Sequence, residues 1–282
     1  MGAVSPTMPT VAITGSASGI GAACAERLGA NGYEVIGIDR HGATVVADLG
    51  TPAGRQSAIG EVEDRCGGVL DAVVTCAGLA GAPSRAGSLL VSVNYFGTVV
   101  LMEGFRPLLA RSPSPSAVAV SSNSTTIQPG VDRRITNACL DGDEDGAARL
   151  ADDAGSMGTY PATKLAVAHW VRRHATGGEW AGSGIRLNAV APGMVDTPLV
   201  AEGRADPKVA PLLEMLPIPI GRAGRPEEIA ALIELLIGPD GGFFCGSVLF
   251  IDGGSDALLR TADWPAPWDI DLGRAAERLA GD

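Results

Sequence analysis

Positive charge is scarce in this sequence and lysine is nearly missing. Lys and Arg number 21 against 32 Asp and Glu, a net charge of −11, and only Lys164 and Lys208 carry an amine side chain. So acidic a chain repels phosphate backbones and anionic lipid, so neither a nucleic-acid nor a membrane partner is expected. Nowhere do about 18 apolar residues run together, and the segment from Met1 to Pro9 lacks the basic start and apolar stretch of a secretory signal. A cytoplasmic location is the expectation. Cysteine is sparse and scattered: Cys24, Cys66, Cys76, Cys139 and Cys245 form no CxxC pair and have no neighbouring His, which argues against disulfide and zinc frameworks and for no metal site. His41, His169 and His174 stand alone and carry no catalytic assignment, and the glycosylation acceptor Asn123-Ser124-Thr125 is idle without a secretory signal.

What the chain has in abundance is apolar residue, 46% of the total, enough to bury a full core. From Thr10 onward, short apolar runs alternate with longer amphipathic ones, the beat of a parallel sheet wrapped by helices. Strands are expected at Val11–Thr14, Glu34–Asp39, Thr44–Asp48, Leu70–Cys76, Ala117–Ser122, Arg186–Ala191 and Val248–Asp252. Helices are expected at Ile20–Asn31, Ala53–Arg65, Leu89–Ala110, Tyr160–Thr176 and Glu227–Ile237, the last opened by Pro226 and closed by Gly238-Pro239. With no linker and no repeat, the fold class expected is α/β: one Rossmann-type domain with a seven-stranded, mostly parallel sheet and helices on both faces. Two segments break the beat, the insert 123–158 and the tail 255–282 with Trp264 and Trp268. Each is a candidate for substrate or subunit contact, or mere surface. The acidic run in the insert fits a solvated helix face.

The first strand enters Thr14-Gly15-Ser16-Ala17-Ser18-Gly19-Ile20-Gly21, and a helix begins inside it. Such a turn aims backbone N–H groups and the helix's positive end at a pyrophosphate, while glycines clear the approach. Three glycines at this spacing would arise by chance about 0.7 times in so glycine-rich a chain. The context between strand and helix supplies the signal, and a tight structural turn is the competing reading. Asp39, closing the second strand, suits the two ribose hydroxyls of NAD(H); Arg40 beside it keeps NADP(H) as the less favoured alternative. Asp48-Leu49 could border an adenine, or Asp48 could simply cap the following turn.

Tyr160 and Lys164 lie one helical turn apart, on one face. With three Tyr and two Lys in 282 residues, that spacing is expected by chance roughly 0.02 times. The pair suits a hydroxyl that gives or takes a proton while a hydride moves, its pKa lowered by the ammonium.

Together these residues resemble the short-chain dehydrogenase/reductase family. The likeness runs from about residue 10 to 254 through TGSASGIG, Cys76-Ala77-Gly78, Asn94 in VNYFG, Ser121-Ser122, YPATK at 160–164, Pro192-Gly193 with Thr197, and IDGG at 251–254. The resemblance implies that Ser122 polarises the substrate oxygen, Tyr160 is the acid/base, Lys164 binds the nicotinamide ribose and tunes Tyr160, and Asn94 holds a water linking Lys164 to solvent. It further implies a cofactor site formed by Gly15, Ser18, Gly19, Ile20, Gly21, Cys76, Ala77, Gly78, Pro192, Gly193, Val195 and Thr197, with Tyr160 and Lys164. The family usually forms homodimers or homotetramers.

Three departures stand out. Thr75-Cys76 replaces side-chain amides that usually support the sheet. Ser122 precedes Tyr160 by 38 residues rather than about a dozen, leaving Ser121, Ser124 and Thr125 as competitors. Pro161 is acceptable if Tyr160 sits in a helix's first turn. The long insert narrows the resemblance to a bacterial hydroxysteroid-dehydrogenase and carbonyl-reductase branch, implying a hydrophobic secondary alcohol or ketone, with a steroid among the candidates. The stretch 197–219, apolar and punctuated by five prolines, is the expected lid. The rival classes are an epimerase or dehydratase, for which the 64 residues from Ala191 to Gly254 leave little room, and a non-catalytic dinucleotide sensor.

Overall fold

A computed structural model describes residues 8–280. The apolar, β-branched runs become strands β1 (Thr10–Thr14), β2 (Glu34–Asp39), β3 (Val45–Val46), β4 (Ala72–Thr75), β5 (Ser116–Val120), β6 (Arg186–Pro192) and β7 (Val248–Ile251). All seven pair in parallel in the order β3-β2-β1-β4-β5-β6-β7. The sheet is thus wholly parallel, and each expected strand is present with ends shifted by at most two residues. Alternate residues serve opposite faces, as the strand period requires. Ala12, Ile36 and Val73 join one core, while Val11, Ile13 and Val74 join the other.

Helices α1 (Gly19–Ala30) and α2 (Pro52–Arg65) cross over between the first strands. The expected helix Leu89–Ala110 arrives in three pieces: α3 (Gly87–Leu90), a π turn at Val91–Phe96, and α4 (Gly97–Leu109). By length and composition Gly87–Leu109 could cross a membrane, with a mean hydropathy of 1.4, but 61% of that window is buried inside this protein. Its apolarity is that of a core helix.

The insert folds as α5 (Ser124–Ile127), α6 (Arg133–Leu140) and the front of α7 (Glu144–His174). Gly155 breaks α7 with φ 72°, a left-handed conformation that glycine adopts without penalty. The helix therefore restarts at Ser156, and Tyr160 falls in the second turn rather than the first. Pro161 has no N–H for the Met157 carbonyl; Gln128 Nε2 donates to that carbonyl instead, at 3.4 Å. The acidic run is not simply solvated. Asp143 caps α7 through Gly146 N at 2.8 Å, Asp152 receives Ser88 N at 2.8 Å, and Glu144 grips Arg55 by two bonds of 2.6 and 3.1 Å. The Arg55 side chain is only 3% exposed, and it stacks over Phe96.

The chain continues through α8 (Pro198–Ala205), α9 (Ala210–Glu214), α10 (Pro226–Ile237), α11 (Ser255–Leu259) and α12 (Leu272–Ala280). Helices α1 and α10 cover one face of the sheet, while α2, α4 and α7 cover the other. Trp264 and Trp268 of the tail stay largely exposed. Because Arg55 is buried and its partner partly so, Glu144→Gln should leave an uncompensated charge and cost about 2 kcal/mol in urea unfolding; a change below about 0.5 kcal/mol would show the insert is held by other contacts.

Candidate active site

In this strand order the connections leaving the neighbouring strands β1 and β4 run in opposite directions, towards β2 and towards β5. A crevice therefore opens beyond the carboxyl ends of those strands, where open parallel sheets bind ligands. The glycine turn fills one side of it. Gly15 has φ +68° and a Cβ there would lie 2.9 Å from Ala77 N; one on Gly21 would lie 2.1 Å from the Gly15 carbonyl. Only glycine lets the turn fold this tightly against β4. Ser18 starts α1 with an exposed side chain that makes no cap bond, so the helix's first N–H groups remain available to an anion. The Asp39 carboxylate accepts from Ala17 N at 3.1 Å and Arg40 N at 2.7 Å, which fixes it beside the turn.

Other expected cofactor residues fall into separate groups. Ile20, Cys76, Gly78, Pro192, Gly193, Val195 and Thr197 line one cleft with Ser122, Tyr160 and Lys164. Ala77 is tied to Thr14 Oγ1 by its N–H at 3.0 Å. Gly19 approaches Thr197 closely, since an added Cβ would sit 3.3 Å from its methyl. Asp48 is exposed and accepts from Gly50 N at 2.9 Å, the turn-capping geometry, while Leu49 is buried in the core.

The chemical groups converge from three elements. Ser122 lies two residues beyond β5, not inside it as the sequence suggested. Its Oγ accepts from Ser124 N at 3.1 Å, and Ser122 lines the same cleft as Tyr160. The competitors are occupied or aimed elsewhere: Ser121 Oγ donates to the Lys164 carbonyl at 2.8 Å, Thr125 Oγ1 to the Ser122 carbonyl at 2.9 Å, and neither Ser124 nor Thr125 lines the cleft. Lys164 Nζ donates to the Val120 carbonyl at 2.9 Å. Burial pushes this amine down to about 8, with Cys76 opposing the shift. Burial likewise raises the Tyr160 phenol, opposed by the Ser122 bond. In this structure the Lys164 ammonium donates to Val120, and its expected downward pull on Tyr160 does not outweigh burial.

Asn94 sits in the π turn, and both ends of its amide engage Leu79: Oδ1 accepts from Leu79 N at 2.7 Å and Nδ2 donates to the Leu79 carbonyl at 3.0 Å. The side chain thus braces the cleft wall. π turns of this kind recur at functional sites because they shift one residue out of helical register.

No local pattern marks Leu79 and Val200, which complete the apolar lining with Leu199. Nor did it mark Arg85, whose guanidinium bonds the Ala80 carbonyl and reaches Glu202 of α8 at 2.8 Å. That ion pair joins the loop carrying Leu79 to the helix carrying Leu199 and Val200. The cleft holds about 120 Å³, below the roughly 300 Å³ at which small-molecule pockets usually begin.

Two family models match the chain: short chain dehydrogenase over residues 9–131, and enoyl-(acyl carrier protein) reductase over 146–256. The 3-alpha-hydroxysteroid dehydrogenase/carbonyl reductase of Comamonas testosteroni is 37% identical over 90% of this chain and 98% of its own. The cis-4-hydroxycyclohexanecarboxylate dehydrogenase of Sinomonas cyclohexanicum is 33% identical over 87% of this chain and 96% of its own. Among solved structures, the 3-alpha-hydroxysteroid dehydrogenase from Pseudomonas sp. B-0831, complexed with NADH, superposes with a TM-score of 0.86 at 47% identity, covering 90% of this chain and 99% of that one. The chain belongs to the short-chain dehydrogenase/reductase family, and its class is that of the short-chain alcohol dehydrogenases and carbonyl reductases.

The buried amine makes a thermodynamic prediction. Lys164 has a folded pKa of about 8 against an ordinary 10.5, so between those values the unfolded chain binds more protons. Stability must then rise with pH across that window, the penalty being fully present below it. The unfolding free energy of the ligand-free protein, minus that of Lys164→Met, should increase from pH 8 to 10.5; a flat difference would mean the amine is not desolvated.

Proposed function

We propose that this protein interconverts a hydrophobic alicyclic secondary alcohol and its ketone with NAD(H), Tyr160 serving as the proton donor and acceptor. The observation that carries the reading is the convergence of Ser122, Tyr160 and Lys164 on one apolar cleft at the switch point of the sheet. A nicotinamide dinucleotide fits the cradle, because the glycine turn is free of side chains where a pyrophosphate would lie and Asp39 stands where a ribose would end. When bound, it supplies or accepts the hydride.

The protein's own part is proton handling and placement. Ser122 Oγ already accepts a bond from Ser124 N, so its proton is free to be shared between the substrate oxygen and the Tyr160 hydroxyl. In reduction the Tyr160 hydroxyl gives its proton to the oxygen as negative charge develops there; in oxidation its phenolate takes the proton back. Lys164, buried with only the Val120 carbonyl as a recorded partner, has ammonium donors left for ribose hydroxyls, and a charge fixed there would favour the phenolate. Leu79, Leu199 and Val200 exclude water, and Asn94 holds Leu79 in place. The steroid and cyclohexane alcohols named for the relatives, together with this apolar lining, favour a ring-bearing substrate. An acidic Asp39 without a basic residue in the glycine turn favours NAD(H) over NADP(H).

Two substitutions test the reading. Tyr160→Phe should lower kcat by about a thousandfold or more on a cyclic ketone while leaving dinucleotide affinity within about threefold; retained turnover would remove Tyr160 from the chemistry. Asp39→Ala should erode the preference for NAD(H) over NADP(H) by about tenfold or more, corresponding to the loss of a charge-assisted bond; an unaltered preference ratio would place the ribose elsewhere.

A further inference from the structure

The IDGG turn, residues 251–254, takes no part in the chemistry described above, yet it lies where three strand ends meet. Asn123 N donates to the Pro192 carbonyl at 2.9 Å and Gly193 N to the Ile251 carbonyl at 3.1 Å. Past these bonds the three chains diverge: β5 runs into α5, β6 towards α8, and β7 into α11. Asp252 ties the diverging ends. Its Oδ2 accepts from Asn123 Nδ2 at 3.2 Å and Asp256 N at 2.7 Å, and its Oδ1 accepts from Gly254 N at 3.0 Å. Its backbone also occupies the space beside Gly193, where a Cβ would come within 2.7 Å of Asp252 Cα. The same turn holds the foot of the lid, since Ile220 N donates to the Gly253 carbonyl at 3.2 Å and Ser255 Oγ to the Pro217 carbonyl at 2.7 Å.

Asn123 directly follows Ser122, and Gly193 lines the same cleft as Ser122. We infer that Asp252 is a positioning residue: acting through Asn123, it sets the Ser122 hydroxyl against the Gly193 wall and couples that register to the foot of the lid. The inference rests on the task given to Ser122 above. A carboxylate suits the place because three N–H donors converge on it and it offers only acceptors, whereas an amide would turn its own N–H₂ towards at least one of them. Asn123 is 8% exposed, so its amide has little access to water as a substitute partner.

The test compares Asn123→Ala, which cuts only the link to Ser122 and leaves the turn intact, with Asp252→Asn and the double variant. The assay is reduction of a cyclic ketone by NADH, with dinucleotide binding followed by protein fluorescence and folding by thermal melts. Each single substitution should lower kcat about tenfold or more, as misplacement of a reacting group does. Substrate KM and dinucleotide Kd should stay within about twofold, and the double variant should be no slower than the worse single one, because both cut one link. An Asn123→Ala enzyme with wild-type kcat overturns the inference, as do additive losses or a loss confined to dinucleotide affinity or melting temperature. Turnover in the unsubstituted chain that vanishes in Tyr160→Phe but stays at the unsubstituted rate in Asn123→Ala overturns this inference alone. No turnover in the unsubstituted chain overturns the proposed reaction and this inference with it.

Discussion

The site is organised around an ammonium group brought out of water at the edge of a parallel sheet. Lys164 is 4% exposed, and its recorded hydrogen-bond partner is the last carbonyl of β5. Such a group is costly to bury, which is why its pKa falls so far. The fold accepts that cost at the one place where the strand connections leave a crevice. The elements around it follow from the same constraint. Gly78 has no side chain, and a Cβ there would press on the amine at 3.3 Å. Ser121 fixes the Lys164 backbone through its carbonyl, and Ser122, next along the chain, is thereby presented to Tyr160. The ammonium, the hydroxyl and the phenol are held by adjoining residues of β5's extension and one face of α7.

Much of this was legible in the sequence. The seven strands were readable because a sheet covered on both faces must be apolar at nearly every position, as in the TVAIT of β1 and the SAVAV of β5. The glycine turn and the Tyr160–Lys164 pair were readable because their chemistry demands fixed spacings. What stayed hidden depended on contacts between distant segments. Nothing in the local pattern tells that Arg55 meets Glu144, that Gly155 restarts a helix and moves Tyr160 to its second turn, or that Asn94 spends its amide on Leu79. The direction of the Lys164 side chain was equally illegible: helical spacing puts it on the face of Tyr160, but the nearest carbonyl decides where the amine points.

The insert and the lid serve different ends. The insert is bolted to the body of the protein by Arg55–Glu144 and by Asp152 at the start of α3, and its α6 packs Ile135 and Cys139 into the core. The lid has looser ties. Leu212 and Met215 are exposed, and the Arg85–Glu202 pair across the cleft is the surface kind that costs little to open. An apolar cleft bordered by a helix held across it by one surface ion pair is consistent with the proposed substrate being shielded from water once bound.

The central claim is that Tyr160 changes its acidity when the crevice is filled. In the structure burial raises its phenol above the ordinary 10.0, whereas catalysis near neutral pH needs it lower. Titration of the ultraviolet tyrosinate absorbance, taken as the difference between the unsubstituted protein and Tyr160→Phe, measures this residue alone. The account predicts ionisation above the ordinary value in the ligand-free protein and below it once oxidised dinucleotide is saturating. The same titration midpoint with and without dinucleotide would contradict it.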